Sequence, residues 1–406
     1  MHVSSSPTTL SSPDNAGRGA SLPLLALAIG AFGIGTTEFG PMGMLQTIAA
    51  GVGVSIPAAG LLVSAYAIGV TLGAPVMTLL LGRWPRRRAL IALMAIFALG
   101  NILSALAPQY TGLMAARVVT SLAHGAFFGI GSGVAASLVP RERQASAVAM
   151  MFLGLTIANI GGVPAATWLS EHLGWRQSFG AIGLLGVLAM AALLAFLPAG
   201  SSGQPARVGS ELKVLVRPVV LRALLTTVLS SAAMFALYTY INPVLQAFTS
   251  AGPAFITMML ALIGIGFTLG NTLGGKMADR SIDRTIAFFL SVEAVAMIAF
   301  PWLASTKAGA ALGLFVWATA AFALVPPVQM RVMRAASEAS GLASSVNIGA
   351  FNLGNAIGAA LGAAMLNAGL GFPAVLFGGA AMSMLALLLV AWSAYGRPAA
   401  AVPCTC

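Results

Sequence analysis

The sequence predicts an all-α membrane protein whose twelve transmembrane helices form two pseudo-symmetric six-helix bundles. Three observations carry that prediction. Of the 406 residues, 59% are hydrophobic and only 7% charged, with a mean hydropathy of +0.95, whereas a soluble chain carries about a quarter charged residues. The apolar stretches reach the ~20 residues needed to cross a bilayer. The basic residues gather in every second gap between those stretches, the pattern left when alternate loops stay on the cytoplasmic side.

The elements follow in order. Residues 1–20 are rich in Ser, Thr and Pro and read as a disordered cytoplasmic N-terminus. Helix 1 (22–50) is too long for a signal peptide's 7–15-residue apolar core. Pro57 separates it from helix 2 (58–82), and Arg83, Arg86, Arg87 and Arg88 precede helix 3 (88–107). Pro108 opens the gap before helix 4 (112–139). Arg141 and Arg143 precede helix 5 (145–169), and Gly174 precedes helix 6 (176–197). A polar stretch at 199–219, with Arg207, Lys213 and Arg217, reads as a cytoplasmic central loop. Helix 7 (220–249) and helix 8 (254–277) flank Pro253. Arg280 and Arg284 lead into helix 9 (284–304), and Lys307 into helix 10 (308–332). Arg331 and Arg334 precede helix 11 (340–367), and helix 12 (373–395) precedes a cytoplasmic tail (397–406). The two bundles are thus expected at 21–198 and 220–396, with both termini in the cytoplasm of a bacterial-type inner membrane. Trp84, Trp168, Trp175, Trp302 and Trp392 fall near helix ends, where aromatic belts form.

Composition excludes several classes of function. The net charge of +11 lies in short loops beside apolar helices, where anionic lipid heads rather than nucleic acid are the expected partner. The only cysteines, Cys404 and Cys406, end the chain and supply neither a disulfide framework nor a metal site. No nucleophile elbow, His-Glu-x-x-His run or paired intramembrane Asp marks an enzyme. No cofactor is expected, and the chain is expected to act as a monomer.

The halves repeat each other. Gly69, Gly73 and Arg83 have counterparts at constant spacing in Gly266, Gly270 and Arg280, and Gly161 has one in Gly358. Such paired halves bind their cargo between them, near the bilayer midplane. Small residues four apart, as in Gly69/Gly73, Gly266/Gly270/Gly274 and Gly354/Gly358/Gly362, let helices approach closely. Together with Gly154, Gly161, Gly162 and Pro164 of helix 5, they are expected to form the seams along which the halves rock.

Few ionisable residues remain inside the apolar stretches: Glu38, Arg117, His124 and Glu293. A charge at a helix centre costs about 2.5–3.5 kcal/mol on insertion scales, so each needs a partner, a watery cavity or a proton. Glu38 is the foremost proton-coupling candidate, with Met42 and Gln46 at i+4 and i+8 on the same helix face. Arg117, Ser121, His124 and Phe128 form one stripe on helix 4. Arg117 cannot shed its proton and must face the bundle or water. Glu293 lies mid-helix 9 with no evident partner in the sequence.

The chain resembles the major facilitator superfamily, in particular its twelve-helix drug:proton antiporter branch near the arabinose-efflux-like and chloramphenicol-resistance-like permeases. The motifs that carry the resemblance are TTEFGPMGML (36–45), LGRWPRRR (81–88), RVVTSLAHGAFFG (117–129), GLTIANIGGVPAATW (154–168), GWRQSF (174–179) and GGKMADRSIDR (274–284). It implies the major facilitator fold and alternating access. It further implies proton-coupled efflux of small lipophilic compounds or drugs, with export of sugars or other metabolites as the alternative.

By the resemblance, Arg117 links protonation to the conformational change; Glu38, and His124 on the stripe of Arg117, are the proton-coupling candidates read from the residues themselves. The central cavity would be lined by Met42, Gln46, Phe128, Asn159, Tyr238, Asn242, Gln246, Asn347, Phe351 and Asn355. Arg83, Arg87, Asp279, Arg280 and Arg284 would build the cytoplasmic gate, and Gly161, Gly162 and Pro164 of helix 5 count among the gating residues. The chain departs from the family pattern at Gly82, where the first loop motif usually carries Asp. It departs again at Ser121, and at Ala165 or Ala166, which stand at usual Gly positions.

Overall fold

The computed structural model describes residues 13–54, 56–199, 208–250 and 252–395. The expected disorder of residues 1–12, part of the central loop (200–207) and the tail with Cys404 and Cys406 lie outside the described residues. Among the described residues there are no strands, and twelve helices are long and apolar enough to cross a membrane. They are α1 (Ala20–Gly43), α2 (Ala58–Leu81), α3 (Arg86–Leu106), α4 (Tyr110–Ser137), α5 (Arg141–His172) and α6 (Trp175–Phe196), then α7 (Pro218–Tyr238), α8 (Ala254–Arg280), α9 (Ile282–Leu303), α10 (Lys307–Ala335), α11 (Ser337–Asn367) and α12 (Gly371–Ser393). Each overlaps one expected helix.

The helices depart from the expected ones at three places. The helix carrying α1 begins at Pro13, inside the stretch expected to be disordered. Helix 1 does not run on to residue 50: Pro41 removes a backbone donor, the chain turns at Met44, and a separate helix, Leu45–Val52, follows. Helix 7 likewise ends at Tyr238, and Ile241–Thr249 forms its own short helix ahead of Pro253. A fourth irregularity sits in α5, where Ala158–Gly162 form a π-turn and the Val163 N–H reaches back to the Ala158 carbonyl. Pro164 follows at once and cannot donate to its own i−4 carbonyl, which explains why the ladder loosens there.

The two halves pack alike. In the first half α1 lies on α5 and α2 on α4; in the second α7 lies on α11 and α8 on α10. The correspondence reaches individual residues. Gly69 abuts Ser121 and Gly73 abuts Leu122, while Gly266 abuts Ala318 and Gly270 abuts Thr319. The sequence offset that separates Gly69 from Gly266 also separates Ser121 from Ala318.

These contacts correct the expected role of the glycine stripes. Gly69, Gly73, Gly154, Gly266, Gly270, Gly274, Gly354, Gly358 and Gly362 all abut a helix of their own half, so they weld each bundle together. The seam between the halves uses other glycines. Gly275 faces Ala149, Gly264 faces Ile160, Gly349 faces Thr71 and Gly129 faces Ser345. These positions bring α8 against α5, and α11 against α2 and α4.

The seam is tightest at the end of the molecule that carries the arginine-rich loops, the basic end. There the Asp279 carboxylate of α8 accepts hydrogen bonds from the backbone N–H of Ala145 (2.8 Å) and Ser146 (3.3 Å) at the start of α5, and from the Ser146 hydroxyl. Asn271 donates to the Ala149 carbonyl at 2.6 Å, and Thr78 Oγ1 donates to Ser345 Oγ at 2.6 Å.

The tryptophans divide. Trp84, Trp168, Trp302 and Trp392 are exposed as a belt requires, but Trp175 is buried against Phe179 and the backbone of Gly51, with Arg176 over its ring. Gly174, just before it, has φ +107°, a conformation that side chains rarely adopt.

Candidate functional site

The site begins with a proline. Pro41 stands four residues after Thr37 in α1 and has no N–H, so the Thr37 carbonyl lacks its helical donor. Arg117 of α4 fills the gap: Nη2 donates to the Thr37 carbonyl at 3.0 Å and Nη1 donates to Thr37 Oγ1 at 3.0 Å. Thr37 Oγ1 in turn donates to Asn101 Oδ1 at 2.7 Å, and Asn101 Nδ2 donates to the Phe97 carbonyl at 2.9 Å. The Arg117 guanidinium is wholly buried and lies over the Tyr66 ring, 4.3 Å from its centroid. Backbone dipoles, a hydroxyl and a π face thus hold it at a favourable desolvated site.

The path from Arg117 to Glu38 runs through two more side chains. The Tyr66 hydroxyl lies 3.2 Å from His124 Nδ1. With the phenol donating there, neutral His124 carries its proton on Nε2, and Nε2 faces Glu38 Oε2 at 3.9 Å. That distance exceeds a hydrogen bond. His124 stacks obliquely on Phe128, 5.2 Å between centroids, and Phe128 stacks on Phe152 at 4.9 Å. Glu38, His124, Tyr66, Arg117, Thr37 and Asn101 therefore form one polar chain through an aromatic wall.

Glu38 and His124 line a cavity between the halves. Phe39, Phe128, Phe152 and Leu155 share its first-half wall. Opposite stand Phe235, Phe322, Gln329, Asn347, Phe351 and Asn352. The second-half amides are tied together: Thr227 Oγ1 donates to Asn347 Oδ1 at 2.7 Å, Asn347 Nδ2 donates to Gln329 Oε1 at 2.6 Å, and Gln329 donates to Ser344. The free volume is about 40 Å³. That admits about two to four waters and falls far below the ~300 Å³ of a small-molecule site.

Of the expected cavity residues, Phe128, Asn347 and Phe351 line this space. Met42 is exposed at the end of α1, and Gln46 is exposed on the separate helix Leu45–Val52. Asn242 and Gln246 are likewise exposed on Ile241–Thr249, beyond the end of α7. Asn159 sits in the π-turn with its amide on the Leu155 carbonyl. Tyr238 joins Phe235, Phe267 and Trp317 in an aromatic cluster, and Asn355 accepts from Ser231 within the second half.

Among the expected gate residues, only Asp279 has a hydrogen bond across the seam described above. Arg83, Arg280 and Arg284 are exposed, and Arg87 donates to the Leu194 carbonyl of its own half at 2.7 Å. Gly161 meets open space, while Gly162 abuts Thr36 and Phe32 of α1. Glu293 is buried away from the cavity, accepting from Ser383 of α12 at 2.9 Å.

Tyr66, Thr37, Asn101 and Gln329 escaped the sequence reading. Pro41 placed four residues after a threonine was a signal for the orphaned carbonyl. Pro326 and Pro327, in the middle of α10 and just before Gln329, were a signal for the break that turns Gln329 into the cavity.

Residues 27–347 match the Major Facilitator Superfamily. The inner membrane transport protein YdhP of Escherichia coli (strain K12) is 64% identical over 376 residues, covering 93% of this chain and 97% of that protein. A chloramphenicol resistance protein of Streptomyces lividans is 33% identical, covering 85% of this chain and 89% of that protein. The crystal structure of the human organic anion transporter MFSD10 superposes with a TM-score of 0.75 over 94% of this chain and 100% of the other, at 15% identity. With twelve apolar helices and these relatives, the chain is a multi-pass membrane transporter and belongs to the major facilitator superfamily.

Proposed function

We propose that the protein exports small, neutral or weakly cationic lipophilic compounds in exchange for protons. The observation that carries this reading is the chain from Glu38 through His124 and Tyr66 to Arg117. It ties a carboxyl that lines the cavity to a buried guanidinium holding the broken end of α1. A change of proton or ligand at Glu38 thereby bears on the packing of α1 against α4. Around it the cavity offers phenylalanines on both walls and amides on one, with Glu38 as the lining acid. Aromatic faces and a carboxyl suit a lipophilic or weakly cationic molecule. The 33% identity to a chloramphenicol resistance protein supports the same substrate class.

In this reading the basic end and both termini face the cytoplasm. The Asp279 latch then holds the cytoplasmic side shut, so Glu38 meets protons arriving from outside. Protonation of Glu38 favours the turn inward. Loss of that proton to the cytoplasm accompanies substrate loading, and the loaded carrier turns outward again.

Reconstituted protein tests the reading. Proteoliposomes with a pH gradient should show proton movement only when an exported antibiotic or dye is added, and overexpressing cells should resist that compound. Proton movement elicited by sugars alone would replace the drug reading with metabolite export. Compound flux indifferent to the gradient would remove the proton.

A further inference from the structure

A second cavity opens at the basic end of the second half. Its free volume is about 600 Å³, and Arg222, Arg280, Arg331 and Arg334 converge on it from α7, α8 and α10. Asp283 is the acid among its described lining residues, placed 3.5 Å from Arg331 Nε. Ser281 and Ser393 add neutral hydroxyls. Four arginines against one carboxyl among the lining residues leave an excess of positive charge in a site large enough for a headgroup.

The mouth of this cavity is amphipathic. Val219, which lines it, is 44% exposed, and its neighbour Leu221 is 49% exposed. Trp392 of α12 is 66% exposed, with the Arg222 guanidinium 5.8 Å from its ring centroid. An exposed tryptophan beside an arginine at a helix end marks the height of the membrane interface. Arginine forks bind phosphate oxygens in pairs, and basic pockets between helices at the cytoplasmic face take anionic headgroups.

We propose that Arg222, Arg280, Arg331 and Arg334 form a binding site for a phosphate-bearing anion, occupied by the headgroup of an anionic phospholipid whose tails lie along Val219, Leu221 and Trp392. The motif position of Arg280 suggested a gate residue, but here it belongs to this pocket. The site lies apart from the central cavity and gives the second half a lipid anchor beside Ser281, where α8 gives way to α9.

Native mass spectrometry of the full-length protein in detergent, titrated with phosphatidylglycerol, phosphatidylcholine or inorganic phosphate, tests it. Phosphatidylglycerol should be retained at about a hundredfold lower concentration than phosphatidylcholine, as a net three positive charges imply. Each arginine should contribute about fivefold, so Arg222→Gln with Arg334→Gln should weaken phosphatidylglycerol about 25-fold and leave phosphatidylcholine unchanged. Asp283→Asn removes no arginine and should strengthen retention, which guards against a result due to misfolding. Binding of inorganic phosphate with the same arginine dependence, and no preference between lipids, would retain the phosphate site and reject lipid as its source. Equal retention of both lipids in all variants, with no phosphate bound, would overturn the proposal.

Discussion

Arg117 donates to the one carbonyl of Thr37 that Pro41 has stripped of its helical partner. The contact joins a helix defect in α1 to a buried charge in α4, and each explains the other. A proline inside a membrane helix is tolerated when a neighbouring helix satisfies the freed carbonyl. A guanidinium is tolerated in the bundle interior when fixed dipoles surround it.

Arg117→Lys keeps the charge but loses the fork that spans both Thr37 oxygens. A charge-assisted hydrogen bond contributes about 1.5–3 kcal/mol, so transport by Arg117→Lys should fall about 10- to 100-fold in proteoliposomes. Pro41→Ala restores an N–H to compete for the Thr37 carbonyl and should impair transport in the same direction. Full activity in both variants would mean that the contact is structural ballast.

The Asp279 contact at the basic end is built on one side only. Asp279 caps the start of α5, whereas its counterpart position is Gly82, with no side chain to cap α11. A capping carboxylate contributes about 0.5–2 kcal/mol. Asp279→Ala should therefore reduce cross-linking between cysteines placed at Thr78 and Ser345, and Gly82→Asp should increase it. Unchanged cross-linking in Asp279→Ala would show that the carboxylate does not hold the closed state.

Glycines that weld and glycines that form the seam should behave differently when enlarged. A side chain at Gly154 would strike the Ala28 backbone inside the first half, so Gly154→Val should lower folded yield and thermal stability. A side chain at Gly129 would strike Ser345 across the seam, so Gly129→Val should fold yet resist closure at the basic end. The same cysteine pair and a thermal melt report both outcomes.

An exposed ion pair at the basic end, between Arg217 ahead of α7 and Glu338 in the turn ahead of Ser340, offers a pH control. Arg217 donates to both Glu338 oxygens at 2.9 Å, and that bond and charge hold the Glu338 carboxyl below its usual range. A depressed carboxyl contributes stability above its ordinary pKa and loses it as pH falls through the folded value. Both partners are about half exposed or more, so the contribution is small. Glu338→Gln should leave the neutral melting temperature almost unchanged, and any difference from the parent should vanish in acid.

Much of the fold was legible in the sequence because membranes enforce simple rules. Length, hydropathy and the alternation of arginines identify twelve helices without reference to packing. The same rules do not tell which neighbour a helix face meets. That is why the stripe Gly354/Gly358/Gly362, read as a seam, turned out to lie on Ala232 and Tyr240 of its own half. Glu38, Arg117 and His124 were legible because ionisable groups are rare in apolar helices, and the structure brings all three into one chain. Tyr66 and Thr37 were not, because a phenol or hydroxyl carries no such rarity. Helical spacing places Gln46, Asn242 and Gln246 on the cavity face only if α1 and α7 run on through residues 44 and 239–240, where the helices break.

Glu38 is the centre of the account, and Glu38→Gln is its most direct test. The amide keeps the size and most of the hydrogen bonding of the carboxyl but cannot release a proton. Purified Glu38→Gln protein should bind the exported compound within a few-fold of the parent, yet fail to concentrate it in proteoliposomes against an imposed pH gradient, with no compound-dependent proton flux. Undiminished gradient-driven accumulation by Glu38→Gln would contradict the account.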